Sequence, residues 1–221
     1  MRRGIVGVVA LAGLVVVASC KSKPPAPLAA TPAQQASALQ LGFAAGSFLA
    51  QYTQPPDARK ESFGRFARSE SDLYTFMGRL SIGETDSTAV VGALLDGFDD
   101  PNPERGGQLI TQGVNDIMRR LSAGSSPELF WVFKIGLTLG YEMETVNVLA
   151  QGTPTEEHVR PFAVKTARYH ETLQSDLDQA GLPPELVEAI QGANVEIRSV
   201  TDLLAITRAC LRVKGLVAQV Q

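Results

Sequence analysis

Cysteine, histidine and tryptophan are scarce: the 221 residues contain two, two and one of them. Two cysteines are too few for a disulfide-stapled fold, a multi-cysteine zinc site or an iron–sulfur cluster. The histidines, His158 and His170, do not form metal motifs. A ferritin-like site needs Glu three residues before each His, and Thr155 and Ala167 stand there. His-Glu-x-x-His and the haem-attaching Cys-x-x-Cys-His are absent, as are Gly-x-Ser-x-Gly and the phosphate-cradling P-loop. An excess of positive charge is also missing. Twenty basic against 23 acidic residues give −3, which excludes a strongly basic nucleic-acid binder. Aromatics make up only 6%, yet 44% of residues are hydrophobic, enough to build a core.

The longest uncharged run at the N-terminus, Gly4 to Val17, follows Arg2 and Arg3 and spans fourteen residues. That suits the apolar core of a signal peptide and falls short of the ~20 residues a membrane-spanning helix needs. It leads into Val17-Ala18-Ser19-Cys20. An aliphatic residue, two small residues and a Cys directly after such a run resemble the lipobox of bacterial lipoproteins. The resemblance covers residues 1–20 only. It implies cleavage of residues 1–19, a diacylglyceryl thioether on Cys20, and in many bacteria a further acyl chain on the new amino terminus. A thiolate is the nucleophile such lipidation requires. Two or more chains anchor stably where one holds only marginally. Lys21, where an Asp would favour inner-membrane retention, implies the periplasmic face of the outer membrane in a Gram-negative cell. Loss of two arginines with residues 1–19 leaves −5 on 202 residues, so the membrane partner is reached through lipid and not through a basic surface.

Residues 20–31 read as a lipidated Cys and a tether, KSKPPAPLAAT after the Cys. Its three prolines favour extended chain that reaches roughly 34 Å. Residues 32–221 read as one all-α domain, a bundle of about seven helices. Thr31 caps the first, at about 32–53, with Pro32 at its first turn. Others follow at about 58–80, 86–98, 104–122, 127–151 and 155–180. A last helix starts at Pro183-Pro184, with Leu186, Ile190, Ala193, Ile197, Val200, Leu204 and Leu211 as its apolar seam. The 127–151 segment is the most apolar and is expected at the centre.

Two segments match in pattern. Leu39-Gln40-Leu41-Gly42-Phe43-Ala44-Ala45-Gly46 and Phe133-Lys134-Ile135-Gly136-Leu137-Thr138-Leu139-Gly140 both read apolar-polar-apolar-Gly-apolar-x-x-Gly. This predicts an internal repeat over approximately 32–98 and 127–214, two three-helix halves with a linking helix between them. Glycines four apart share a helix face and permit close backbone approach, at ~1 kcal/mol each in helix propensity.

Candidate chemistry is sparse. Glu142 and Glu144 interrupt the most apolar helix, and acid–base work there requires a partner from another helix. Residues two apart cannot aim at one spot, so one carboxylate is expected to face solvent and the other to pair with a basic residue; Lys134 is the remaining charged residue that interrupts this helix. His170 lies beside the apolar stripe of its helix. Cys210 sits at helical spacing and reads as a small hydrophobe. The acidic stretch Asp96, Asp99, Asp100, Asn102, Glu104 departs from a calcium loop because Phe98 takes a ligand position. No catalytic residue, metal or cofactor is expected beyond the lipid on Cys20. The expected function is a non-enzymatic structural or protein-interaction module on the cell envelope. Phe130, Trp131 and Phe133 leave open a site for a small apolar ligand between helices, and a dispersed acidic enzyme site ranks third.

Overall fold

The computed structural model describes residues 29–52, 70–150, 156–195, 197 and 200–219. The lipobox with Cys20, most of the tether, the Pro55-Pro56 break, and Phe63 and Phe66 of the second helix lie outside the described residues. Those residues form eight α-helices and no strand: α1 Pro32–Tyr52, α2 over 70–79, α3 Glu84–Asp99, α4 Pro103–Ala123, α5 Glu128–Ala150, α6 Glu156–Ala180, α7 Pro184–Gln191 and α8 Val200–Ala218. The all-α expectation holds, with eight helices in place of about seven. None of them is long and apolar enough to cross a membrane.

Local chemistry sets the ends. Thr31 and Gln34 cap α1 reciprocally: Gln34 N–H donates to Thr31 Oγ1 at 3.2 Å, and Thr31 N–H donates to Gln34 Oε1 at 2.9 Å. Asn102 caps α4, accepting from the N–H groups of Glu104 and Arg105. Asp100 accepts from Asn102 N–H and pairs with Arg105 at 3.2 Å, so the acidic stretch serves a helix junction.

The two glycine motifs are not separate seams. They pack against each other. A Cβ on Gly42 would lie 2.7 Å from Leu137 N and 2.9 Å from the carbonyl carbon of Gly136; one on Gly46 would lie 2.7 Å from Tyr141 N. Reciprocally, Gly136 lies against Leu39 and Gly140 against Phe43, backbone to backbone. Contacts therefore advance together along both chains, so α1 and α5 run parallel. Both helices bury residues around most of their circumference, including Leu39, Leu41, Phe43, Ala45 and Phe48 on α1 and Val132, Phe133, Ile135, Leu139 and Met143 on α5. That is the pattern of helices enclosed by others.

The remaining helices surround this pair in two matching sets. Buried Leu73 and Met77 of α2 have the spacing of Leu173 and Leu177 in α6. Both helices end in a left-handed residue, Ser81 (φ 60°) and Gly181 (φ 59°), before a short turn. Val90, Val91 and Leu94 of α3 recur in spacing as Ala189, Ile190 and Ala193 around α7, and Ile110, Val114, Ile117 and Leu121 of α4 as Ile206, Cys210, Val213 and Val217 of α8. Exchanging the sets carries the α3–α4 packing onto α7–α8, α4–α5 onto α8–α1, and α5–α8 onto α1–α4. These spacings and packings pair α1 with α5, α2 with α6, α3 with α7 and α4 with α8.

The last predicted helix is corrected. It is two helices: α7 stops at Gln191, where Gly192 follows, and α8 begins at Val200. Carrying one seam across the break gives the wrong phase. Leu204 and Leu211 are 53% and 57% exposed, and the core face is Leu203, Ile206, Cys210, Val213 and Val217.

The glycines predict opposite responses to one methyl group. Gly46→Ala or Gly140→Ala should lower stability by about 1–3 kcal/mol through overpacking against backbone. Gly215→Ala, with open space around its Cβ position in α8, should raise it by about 0.5–1 kcal/mol. Thermal melts of the three variants check the contrast.

Candidate functional site

The side chains singled out in the sequence do not converge as one group. Glu142 and Glu144 diverge to opposite neighbours of α5, as their spacing requires. Neither faces solvent, which corrects the expectation for one of them. Glu144 is buried toward α1, where Gln51 donates to its Oε1 at 3.3 Å, and Asn147 donates to its Oε2 at 3.4 Å. Lys134 is not its partner. It lies 2.8 Å from Asp176 on α6 and 5.4 Å from the Trp131 ring centroid.

Glu142 turns toward α6 and α8. It is fully buried, and its Oε1 lies 3.0 Å from His170 Nε2, itself at the boundary. The contact lacks the alignment of a directed hydrogen bond: both Glu142 oxygens and His170 Nε2 have no hydrogen-bond partner. Thr166, one turn before His170 on α6, is buried with its hydroxyl similarly unpaired. Burial pushes the Glu142 carboxyl above its usual 4.5, and the nearby imidazole opposes that shift. Cross-helix pairing of Glu142 with His170 was not legible, because positions twenty-eight apart on two helices have no fixed relation until the bundle forms.

Cys210 completes this interior region from α8. Its thiol donates to the Leu139 carbonyl at 3.7 Å. Burial, helped by the negative charge of Glu142, pushes its pKa up to about 12. It therefore stays protonated at neutral pH and lacks the thiolate that nucleophilic or redox chemistry needs. The reading of Cys210 as a small buried hydrophobe agrees with this environment.

The aromatic group on α5 packs on itself and the core. Phe133 is fully buried, and Phe130 meets Trp131 edge-on at 4.8 Å between centroids. The side chain of His158 lies outside the described residues. Among the described residues no group of three His, Cys, Asp or Glu side chains is placed to hold a metal ion.

The Glu142 carboxyl makes stability depend on pH with a definite sign. Between 4.5 and its raised folded value, the folded chain keeps a proton that the unfolded chain has released. Stability then falls as pH rises through that window. Glu142→Gln, which has the same shape and never ionises, should be more stable than the parent by about 1–3 kcal/mol at neutral and alkaline pH. The difference should close below pH 4.5. Melts across a pH series test this, and a gap independent of pH contradicts it.

No family model matches the chain, and comparison with curated proteins and with solved structures finds no match either.

Proposed function

We propose that this chain is a lipid-anchored protein of the bacterial cell envelope whose helical domain is a non-enzymatic interaction module built from two four-helix halves. The anchor reading rests on Val17-Ala18-Ser19-Cys20 behind its charged and apolar leader. The short tether enters the domain at the N-terminal end of α1, where Ala30 N–H donates to Glu128 at the start of α5. The observation that carries the non-enzymatic reading is the state of the reactive groups. Glu142 and Cys210 are fully buried, and the thiol is held at about 12. These groups tie α5 to α6 and α8 and do not face a substrate.

The interaction reading is supported by α8. Leu204 and Leu211 lie two turns apart on one exposed face, opposite the core seam of the same helix. Two half-exposed leucines in register give a partner a purchase that costs the domain nothing in packing. The repeated halves support a duplication. Each half supplies one helix to the seam and three around it, so the expected linking helix is instead the counterpart of α8.

Two measurements test the reading. Cys20→Ser should move the protein from the membrane to the soluble fraction, and the parent's mature N-terminal peptide should carry the mass of its lipids. Retention in the membrane with residues 1–19 still attached overturns the anchor. A photo-crosslinking residue at 204 or 211 should give a discrete heavier adduct in cells, and one at the exposed Thr88 should give none. Identical patterns at all three positions overturn the α8 surface.

A further inference from the structure

The pairing of helices allows a place in one half to be compared with its counterpart in the other. One such comparison leaves open space on one side only. Between α1, α2 and α8 lies a cleft of about 270 Å³, bordered by Phe43, Ser47, Asp72, Phe76 and Lys214. Its counterpart between α5, α6 and α4 is bridged. There Lys134 reaches Asp176 at 2.8 Å, Thr172 donates to the same carboxylate at 3.3 Å, and Tyr141 sets its ring against Tyr169 at 6.2 Å. In the open half Lys134 is replaced by Gln40, Asp176 by Phe76 and Tyr141 by Ser47. The ion pair that spans the helices and the ring that fills space beside the seam are both gone. Lys214 stands where α4 has Met118, so a cation points at the space from the third side.

The groups left around the cleft have a consistent chemistry. Phe43 is buried at its base, and Phe76 on α2 forms a second aromatic wall. The Lys214 ammonium sits 5.2 Å from the Phe43 ring centroid. Among the described residues it makes no ion pair and no hydrogen bond. Lys214 is exposed, but partial enclosure by the helices lowers its pKa, while Cys210, Glu144 and Asp72 oppose that shift. A cavity of ~150 Å³ lined by apolar side chains suffices for one benzene molecule. The space here takes a ring with a short substituent and is too small for a peptide or a lipid tail in full.

We propose that the cleft between α1, α2 and α8 is a binding site for a small organic carboxylate carrying one apolar ring, the ring held between Phe43 and Phe76 and the carboxylate on Lys214. The ring replaces water against two aromatic faces. The carboxylate gives Lys214 the charge-assisted hydrogen bonds that it lacks among the described residues. Asp72 on the α2 rim sets a limit: a dianion meets its negative charge, and a monoanion bound on the Lys214 side avoids it. The site is independent of the α8 surface. The lipid anchor enters only as the means of holding the chain in nanodiscs, and co-purification of the protein with the nanodiscs is checked before titration, so that loss of the anchor and loss of binding are told apart.

The other half supplies the test substitutions. Full-length protein in lipid nanodiscs is titrated with 4-fluorophenylacetate and with the neutral 4-fluorobenzyl alcohol, followed by ¹⁹F NMR against empty nanodiscs. The expected result is saturable one-to-one binding of the anion with Kd below about 1 mM. Lys214→Met, which copies Met118, should weaken the anion about tenfold and leave the alcohol unchanged. Ser47→Tyr, copying Tyr141, should abolish binding of both. Ala44→Leu fills the same cleft from the next turn of α1 and serves if Ser47→Tyr lowers the melting temperature. Asp72→Asn should tighten the anion roughly twofold to fivefold. Binding no greater than to empty nanodiscs overturns the proposal. So does equal loss of anion and alcohol in Lys214→Met, or undiminished binding in a folded variant with the cleft filled.

Discussion

The fold depends on two helix backbones being allowed to touch. Along the α1–α5 seam Gly42, Gly46, Gly136 and Gly140 leave no side chain between the main chains. Each glycine sacrifices ~1 kcal/mol of helix propensity. The return is dispersion contact along two parallel helices and weak Cα–H···O contacts between them. Close approach also has a geometric consequence. Two helices in near contact present one continuous ridge; α4, α6 and α8 pack on it directly, with α3 packed mainly on α4 and α7 on α8. The core is therefore a ring of apolar side chains around a seam of glycine and alanine, and not a central pool of large residues. Phe43, Phe48, Phe133 and Leu139, on the two seam helices, are buried in that core.

This seam was legible as residues but not as a contact. The apolar-polar-apolar-Gly-apolar-x-x-Gly pattern stands twice in the sequence, and its physical meaning, close backbone approach, follows from glycine alone. Nothing in one chain direction says that the partner of the first motif is the second. That appears only once the two helices pack in parallel, Gly136 against Leu39 and Gly140 against Phe43. A face of small residues is the simplest surface on which two helix backbones fit closely.

Periodicity failed where the chain changed phase. The alternating spacing of Leu186, Ile190, Ala193 and Ile197 continues numerically through Leu204 and Leu211. Residues 193–195 and 197, the described ones between Gly192 and Val200, are not helical, so the phase of α7 does not carry over to α8 at 100° per residue. Within α8 a second apolar series, Leu203, Ile206, Cys210, Val213 and Val217, fits equally well. Only its match to Ile110, Val114, Ile117 and Leu121 of α4 separates the two. The interior polar residues were hidden for a related reason. Spacing on α5 correctly separated Glu142 from Glu144, but burial of both depends on α1, α6 and α8 closing around α5 from every side.

The paired helices differ from one another in a graded way. At the seam Gly42 and Gly136 lie against each other, so both must stay small. Among the described residues no substantial packing joins α4 to α8, and positions there vary alone. The divergence follows that gradient. The four seam glycines are identical in the two halves. Beside them on the same helices Ser47 stands for Tyr141 and Gln40 for Lys134, and on the outer helices Phe76 stands for Asp176 and Lys214 for Met118. The buried Glu142 belongs to the same gradient: its counterpart on α1 is Phe48, a fully buried ring that packs on Phe98 at 5.2 Å. An apolar ring is the cheaper occupant of that position. A carboxylate kept there, against its desolvation, commits α5 to the α6 and α8 of its own half through His170 and the Cys210 region. The two halves thus share a seam that cannot change and differ in the side chains that attach it to the outer helices, and the distinct character of each half resides in those attachments.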